Sequence, residues 1–355
     1  MAKAQALLVS LEKGQAAITL ARNMRLIDNS LRIFSVDSEL CIPLLRPASE
    51  SESRRLSSRF GQFRVEERDF AAKRPLHHTV VEELQGHLPP HLLAVVPKSL
   101  DIVGHVAIVE LPNELAPFDE LVGKAVLKTH PGVRTVMAKA GIFSSDYRVR
   151  GLRLIAGEDK PVTRHREHGC LFELDVRTVF FSSRLSHERL RVASQVQPGE
   201  TVVDMFAGVG PYSILIAKRQ PLSSVYAVDM NPSAFKFLVS NILANRVLNN
   251  VKPIMGNIRE VVKSTLFRRA YRVVMNLPGS AFDFVGEACS CLKEEGGIIH
   301  FYSFESAEKP QESASARLRQ SVERSGREVK SILASRVVKA VAPYRVQVGL
   351  DALVT

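Results

Sequence analysis

Apolar and polar positions along the chain change period twice. Over residues 13–24 apolar side chains recur three and four apart, which predicts a helix, and the short apolar runs at 31–36 and 40–45 predict strands beside it. Together they read as a small α+β unit ending near residue 65. The stretch Ala48-Ser49-Glu50-Ser51-Glu52-Ser53-Arg54-Arg55 lacks an apolar period and is expected to be a polar loop, and Lys73-Arg74-Pro75 reads as a linker. Beyond it, residues 99–111 read as two strands around Gly104, and alternation returns at 152–156. From about residue 171 strand and helix patterns take turns. Strands are expected at 202–206, 225–229, 251–255, 272–276 and 297–302, with residues 344–350 as a closing hairpin partner. Asn231-Pro232-Ser233 opens a helix over 234–245, proline being suited to a first turn. The alternation is that of a doubly wound sheet. The fold expected is α/β, a Rossmann-type domain over 171–355 preceded by two smaller α+β domains, 1–65 and 70–170. A chain of 355 residues exceeds the about 250 to 300 that one core sustains.

Composition adds three constraints. No apolar run approaches the ~18 residues that span a bilayer, and Met1-Ala2-Lys3-Ala4-Gln5 has no signal-peptide pattern, so a soluble cytoplasmic protein with no membrane partner is expected. Cys41, Cys170, Cys289 and Cys291 are too few and scattered for a disulfide framework, and neither they nor His77-His78 and His165-Arg166-Glu167-His168 have metal-ligand spacing, so no metal is expected. The net charge of +11 fits a polyanionic partner, nucleic acid first. Between residues 50 and 74, however, seven Arg or Lys interleave with five acids, so charge alone does not separate that reading from a solvated surface.

The chemistry concentrates at strand ends. The run Asp204-Met205-Phe206-Ala207-Gly208-Val209-Gly210-Pro211 follows an apolar strand and opens a helix, and Asp229 closes the next strand about 20 residues on. Glycines permit a tight turn with close backbone approach, and the second carboxylate is placed to accept from ribose hydroxyls. A dinucleotide fingerprint would need glycine where Ser213 stands, and Asp204 inside the turn suits the ammonium and sulfonium of S-adenosylmethionine better than a pyrophosphate. Candidate cofactor contacts within the run are Asp204, Phe206, Gly208 and Gly210. A second signature, Met275-Asn276-Leu277-Pro278, ends another strand. Enzymes methylating exocyclic amines often carry a second proline and an aromatic there. Leu277 and Gly279 instead favour a ring nitrogen or carbon target, with Asn276 and Pro278 as candidate contacts.

These runs, with Phe180-Phe181-Ser182-Ser183-Arg184-Leu185-Ser186-His187-Glu188-Arg189, Asn257-Ile258-Arg259-Glu260 and Val338-Lys339-Ala340-Val341-Ala342-Pro343, resemble the archaeal and eukaryotic tRNA guanine N1-methyltransferases acting at position 37. The resemblance extends upstream to Ser145-Asp146-Tyr147-Arg148 and Asp101-Ile102-Val103-Gly104, and so covers most of the chain. It implies a monomer with an N-terminal RNA-binding domain, a middle domain and a class I catalytic domain that methylates N1 of guanosine 37 in the anticodon loop of tRNA. By position, Glu188 matches the general base, Arg148 the arginine near guanine O6, and Asn276 the residue holding the base. Arg189, Asp229, Met230, Asn257 and Ile258 match cofactor contacts. The chemistry is consistent: N1 of guanine is protonated at neutral pH, so a carboxylate must take its proton while a cation stabilises charge gathering on O6. Asn257 stands where relatives often carry Asp, and Phe180 where they can carry Tyr. Within the same resemblance lie methylation of the tricyclic 4-demethylwyosine and a relative that transfers an aminocarboxypropyl group in wyosine biosynthesis, which does not keep Asn-Leu-Pro. From another class, a non-catalytic tRNA-binding protein would have no use for the intact turn, Glu188 and Asn276.

Overall fold

The computed structural model describes residues 2–61, 63–72, 79–140 and 151–355. The expected linker Lys73-Arg74-Pro75, the pair His77-His78, and the run Ser145 to Arg148 lie outside the described residues. The chain divides into two compact units, Met1–Glu82 and Glu83–Thr355.

In the first unit, β1 (Ala2–Ser10), α1 (Gly14–Asn23), β2 (Phe34–Val36), β3 (Glu39–Leu44), α2 (Glu50–Phe60) and β4 (Arg64–Phe70) follow in order. The strands make one antiparallel sheet in the order β2-β3-β1-β4. Leu7, Val9 and Ile42 from the sheet pack against Ala17 and Ala21 of α1 and Leu56 and Phe60 of α2. The polar loop expected at 48–55 is instead the start of α2. Ser49 caps it, its hydroxyl accepting from the Glu52 amide while the Glu52 carboxylate accepts from the Ser49 amide. The two bonds satisfy amides that a helix start leaves orphaned, so a helix forms where serines and charges give little apolar signal.

The short α3 (Val80–Glu83) runs across the boundary between the units, and in the second unit α4 (Pro90–Ala94) precedes a mixed sheet. Its strands are β5 (Asp101–Val103), β6 (Val106–Val109), β7 (Thr135–Ala140) and β8 (Gly151–Gly157), with α5 (Asp119–Thr129) crossing between the parallel pair β6 and β7. The expected strands on either side of Gly104 are β5 and β6. The hairpin β9 (Val162–Glu167) and β10 (Cys170–Asp175) leads to α6 (Ser186–Ala193). Strand and helix then alternate through β11 (Thr201–Asp204), α7 (Pro211–Arg219), β12 (Ser224–Asp229), α8 (Pro232–Ala244), β13 (Val251–Met255), α9 (Ile258–Val261), β14 (Arg272–Met275), α10 (Val285–Cys291), β15 (Gly297–Ser306) and α11 (Pro310–Arg324), ending in β16 (Val329–Ala342) and β17 (Arg345–Val354).

The seven strands order as β13-β12-β11-β14-β15-β17-β16, the first five parallel and the last two antiparallel. Parallel strands covered on both faces need apolar side chains on both, and Val202, Val203, Val225, Val228, Val273 and Val274 are all fully buried. The expected α/β class holds and the six expected strands are present, with β17 near 344–350 extending to Val354; β16 (Val329–Ala342) is an additional edge strand that was not expected. The sheet's order reverses between β11 and β14, the place where an open α/β sheet leaves a crevice at its carboxyl ends. All four cysteines are buried free thiols. Among the described residues no helix is long and apolar enough to cross a membrane.

Candidate functional site

The turn after β11 carries two glycines in the left-handed region, Gly208 at φ +56° and Gly210 at φ +90°. They have different reasons. A Cβ on Gly210 would lie 2.6 Å from Leu238 Cδ1, so the close approach of α7 and α8 requires its absence; at Gly208 the nearest atom is the Phe180 carbonyl oxygen at 3.9 Å, which leaves the turn open towards a ligand. Asp229, at the end of β12, braces this turn: its Oδ2 accepts from the Gly208 amide at 2.7 Å and its Oδ1 from the Asn231 amide at 2.9 Å. Burial pushes its carboxyl up, and its remaining lone pairs are free in number to accept from ribose hydroxyls. Asp204 is 1% exposed; its Oδ2 accepts from Ser213 Oγ at 2.7 Å and its Oδ1 has no partner among the described residues. Burial, with the nearby charge of Asp229 adding, pushes Asp204 up to about 7. A buried acceptor lacking a donor, beside a glycine turn and a ribose-ready carboxylate, fits a ligand that brings a nucleoside and an ammonium group.

The other predicted cofactor residues border this turn unevenly. The Phe206 ring packs edge-on against Phe284, centroids 5.1 Å apart. Met230, which follows Asp229, is half exposed, and Ile258 is buried at the head of α9. Asn257 caps α9, its side-chain oxygen accepting from the Arg259 amide at 3.0 Å. That oxygen keeps one lone pair for a second donor.

Beside the turn lies a cavity of about 540 Å³ in which Asn276 and Pro278, at the end of β14, face Phe180, Phe181 and Phe304. Lys139, Arg184, Lys339 and Arg345 supply its cations and Asp101 and Glu110 its acids. Arg184 is paired with Asp101 at 2.5 Å and Lys139 with Glu110 at 2.5 Å. Burial pulls Lys339 below its ordinary pKa, and the neighbouring cations Arg184, Lys139 and Arg189 act in the same sense against Asp101. The Asn276 side-chain oxygen is buried and has no partner among the described residues.

Glu188 and Arg189 are adjacent in α6 but go to different places. Arg189, 1% exposed, gives Nε and Nη2 to the two oxygens of Glu167 at 2.5 Å each, reaches the Ser182 carbonyl at 3.1 Å, and stacks over Phe181 at 5.0 Å. It therefore ties the cavity wall at residues 181–182 to hairpin β9–β10. Glu188 does not line the cavity. Its Oε1 accepts from Arg191 Nη2 (2.6 Å) and Nε (3.0 Å), Tyr302 Oη (2.8 Å) and Arg336 Nη1 (2.8 Å). Burial opposes ionisation, yet Arg191, Tyr302 and Arg336 together hold its carboxyl below the usual range. The network continues to Asp351, which accepts from Arg191 (2.5 Å), Arg336 (3.3 Å) and His300 Nδ1 (2.7 Å), while His300 Nε2 faces Arg272 Nη1 at 2.9 Å. Burial keeps His300 below its ordinary pKa, so the neutral ring donates at Nδ1 and accepts at Nε2.

The structure thus gathers Asp204, Gly208 and Asp229 at one turn and Asn276 and Pro278 in the adjoining cavity, and sets Glu188 in a buried ionic network. Arg148 lies outside the described residues. Sequence reading missed Glu167, Arg191, Tyr302, Arg336, Asp351 and Gln347; a charged residue inside an apolar strand pattern, as at Asp351, was the one available signal.

A glycine turn after the first strand of a parallel sheet, an acid ending the second and an antiparallel closing hairpin place the chain among the Rossmann-fold methyltransferases. Residues 163–330 match the family described as TRM5/TYW2 methyltransferase domain, and residues 80–160 the TYW2 N-terminal domain. A protein of Pyrococcus abyssi named tRNA (guanine(37)-N(1))-methyltransferase Trm5b is 42% identical over 265 residues, 75% of this chain and 77% of its own. The crystal structure of Trm5b from Pyrococcus abyssi superposes with a TM-score of 0.72 at 35% identity, covering 99% of each chain. The structure titled as the complex of aTrm5 and tRNALeu gives 0.69 at 27% identity, again over 99% of each chain. TYW2 of Methanocaldococcus jannaschii, solved with S-adenosylmethionine, gives 0.55 at 29% identity over 72% of this chain and 99% of its own. The chain belongs to the TRM5/TYW2 methyltransferase family, and its cofactor is S-adenosylmethionine.

Proposed function

We propose that this protein methylates N1 of guanosine 37 in tRNA. The observation that carries the reading is the cavity beside the cofactor turn, whose aromatic faces, cations and unpartnered Asn276 oxygen suit a single flat, hydrogen-bonding base. The name of the Pyrococcus abyssi relative and the tRNA complex of aTrm5 support the same substrate.

S-adenosylmethionine supplies an activated methyl group, and this chain's residues position the reactants and manage one proton. Asp229 accepts from the ribose hydroxyls and Asp204 Oδ1 offers an acceptor to the ammonium. Phe180, 61% exposed at the cavity edge, presents a stacking face to the base. Asn276 accepts from the guanine edge through its side-chain oxygen. As the new bond forms, the N1 proton becomes strongly acidic, so a carboxylate held ionised is a competent acceptor even with a depressed pKa. The resemblance assigns that role to Glu188, which stands outside the cavity wall with four hydrogen bonds converging on its Oε1 and none of those bonds on Oε2. Arg148 stabilises O6. Asp101 is the competing acceptor, because it stands in the cavity wall itself.

Incubation with labelled S-adenosylmethionine and a tRNA transcript, followed by nucleoside mass spectrometry, is expected to give N1-methylguanosine at position 37. An aminocarboxypropyl adduct, or label at another position, would replace the reading. In single turnover Glu188→Gln should be about 10²- to 10⁴-fold slower with cofactor affinity retained. If Asp101→Asn shows that loss and Glu188→Gln does not, the acceptor is Asp101.

A further inference from the structure

Three residues that are far apart in sequence form one row across the closing hairpin. Gln347 of β17 is paired with Phe304 of β15 on one side and Lys339 of β16 on the other, and all three line the cavity. The row is fixed to the strand end that carries Asn276, because the Phe304 amide donates to the Pro278 carbonyl at 3.2 Å. Within it Gln347 is anomalous. It is 1% exposed, and its side-chain Nε2 has no hydrogen-bond partner among the described residues. An unpaired buried amide costs free energy that native structures rarely leave unanswered, which makes such an atom in a cavity wall a mark of ligand recognition. Two residues that line the same cavity carry buried unpaired atoms of opposite character, Asn276 an acceptor in its side-chain oxygen and Gln347 a donor in its Nε2.

The Watson–Crick edge of guanine presents the complementary pair. O6 accepts, and N1–H and the 2-amino group donate; adenine reverses the first of these, placing an amino donor at C6 and a bare acceptor at N1. We infer that Gln347 is a specificity-determining residue whose Nε2–H donates to O6 of the target guanine, with Asn276 accepting on the other side of N1. This rests on the guanosine reading above. O6 has two lone pairs, so the contact leaves one for a cation. Adenine in the same place would set its amino donor against the Gln347 donor and leave it buried and unpaired, so the contact rejects the wrong purine as well as holding the right one.

The test compares single-turnover methylation, at saturating S-adenosylmethionine, of tRNA transcripts bearing guanosine or inosine at position 37. Inosine keeps O6 and N1–H and lacks the 2-amino group. Gln347→Leu and Gln347→Glu, the second keeping shape while removing the donor, are each expected to slow guanosine methylation by about 10- to 100-fold. The same factor is expected on inosine, with cofactor affinity and melting temperature near wild type for at least one variant. A penalty that disappears on inosine would overturn the inference, because Gln347 would then read the 2-amino group. Unchanged rates in both variants would overturn it too. A uniform loss of cofactor binding and thermal stability in both variants would reduce Gln347 to a packing residue. Wild-type protein that leaves guanosine 37 unmethylated would instead remove the guanosine reading itself, an outcome visible before any variant is compared.

Discussion

Asp204 lies at the junction of stability and ligand binding. Its pKa in the folded protein, about 7, stands above the ordinary carboxylate value because burial disfavours the charge and Asp229 adds to the cost. A carboxyl raised on folding favours the native state when protonated: its contribution is complete below about pH 4 and is lost as pH rises through about 7. Asp204→Asn removes the titration while keeping an acceptor. In denaturant titrations without cofactor, wild-type stability should therefore fall more than that of the variant between about pH 4 and about pH 7, by up to a few kcal/mol. Parallel profiles would show that Asp204 titrates alike in the folded and unfolded chains. Asp204, Gly208 and Asp229 were legible in the sequence because turn chemistry and strand ends are local. The pairing of Arg189 with Glu167 was not, since a helix position gives no information on which distant carboxylate its side chain meets.

At the scale of elements, the antiparallel hairpin β16–β17 is held to α6 and β15 by charge as well as by backbone pairing. Arg191 and Asp351 are 160 residues apart in sequence yet 2.5 Å apart in space, and Asp351 is 2% exposed. Removing that carboxylate leaves Arg191 and Arg336 facing each other with reduced compensation. Asp351→Asn is expected to destabilise the fold by about 3–5 kcal/mol, and Ser49→Ala, which breaks the cap of α2, by about 1 kcal/mol. Urea denaturation of the two variants checks both, and a loss below about 1 kcal/mol in Asp351→Asn would show that water or a side-chain shift relieves the network. Six of the seven strands of the large sheet were readable from apolar period, while β16 was not expected, its half-buried positions giving no clear apolar run. Helix α2 was missed because its signal is a capping box among serines and charges, in which hydrogen bonds replace hydrophobic period.

For the whole molecule, the division into two units separates cofactor from other work. Every residue assigned to S-adenosylmethionine lies in Glu83–Thr355, while Met1–Glu82 has its own sheet and core. Removing residues 1–82 is expected to leave cofactor affinity unchanged and to weaken tRNA binding, as measured by calorimetry and filter binding. For the intact chain, with a net charge of +11, tRNA affinity should fall steeply with salt as phosphate contacts release counterions. A truncated chain with full tRNA affinity at every salt concentration would deny the first unit that role. The class of fold, the glycine turn with its two carboxylates and the strand end at Asn276 were legible in the chain alone, because hydrophobic period and turn chemistry act over a few residues. The burial of Glu188 in an ionic network and the alignment of Phe304, Gln347 and Lys339 in one cavity wall emerge only in the folded chain. Those relations depend on strand register and on partners far along the chain, and a one-residue slip in register would turn the same side chains to the opposite face.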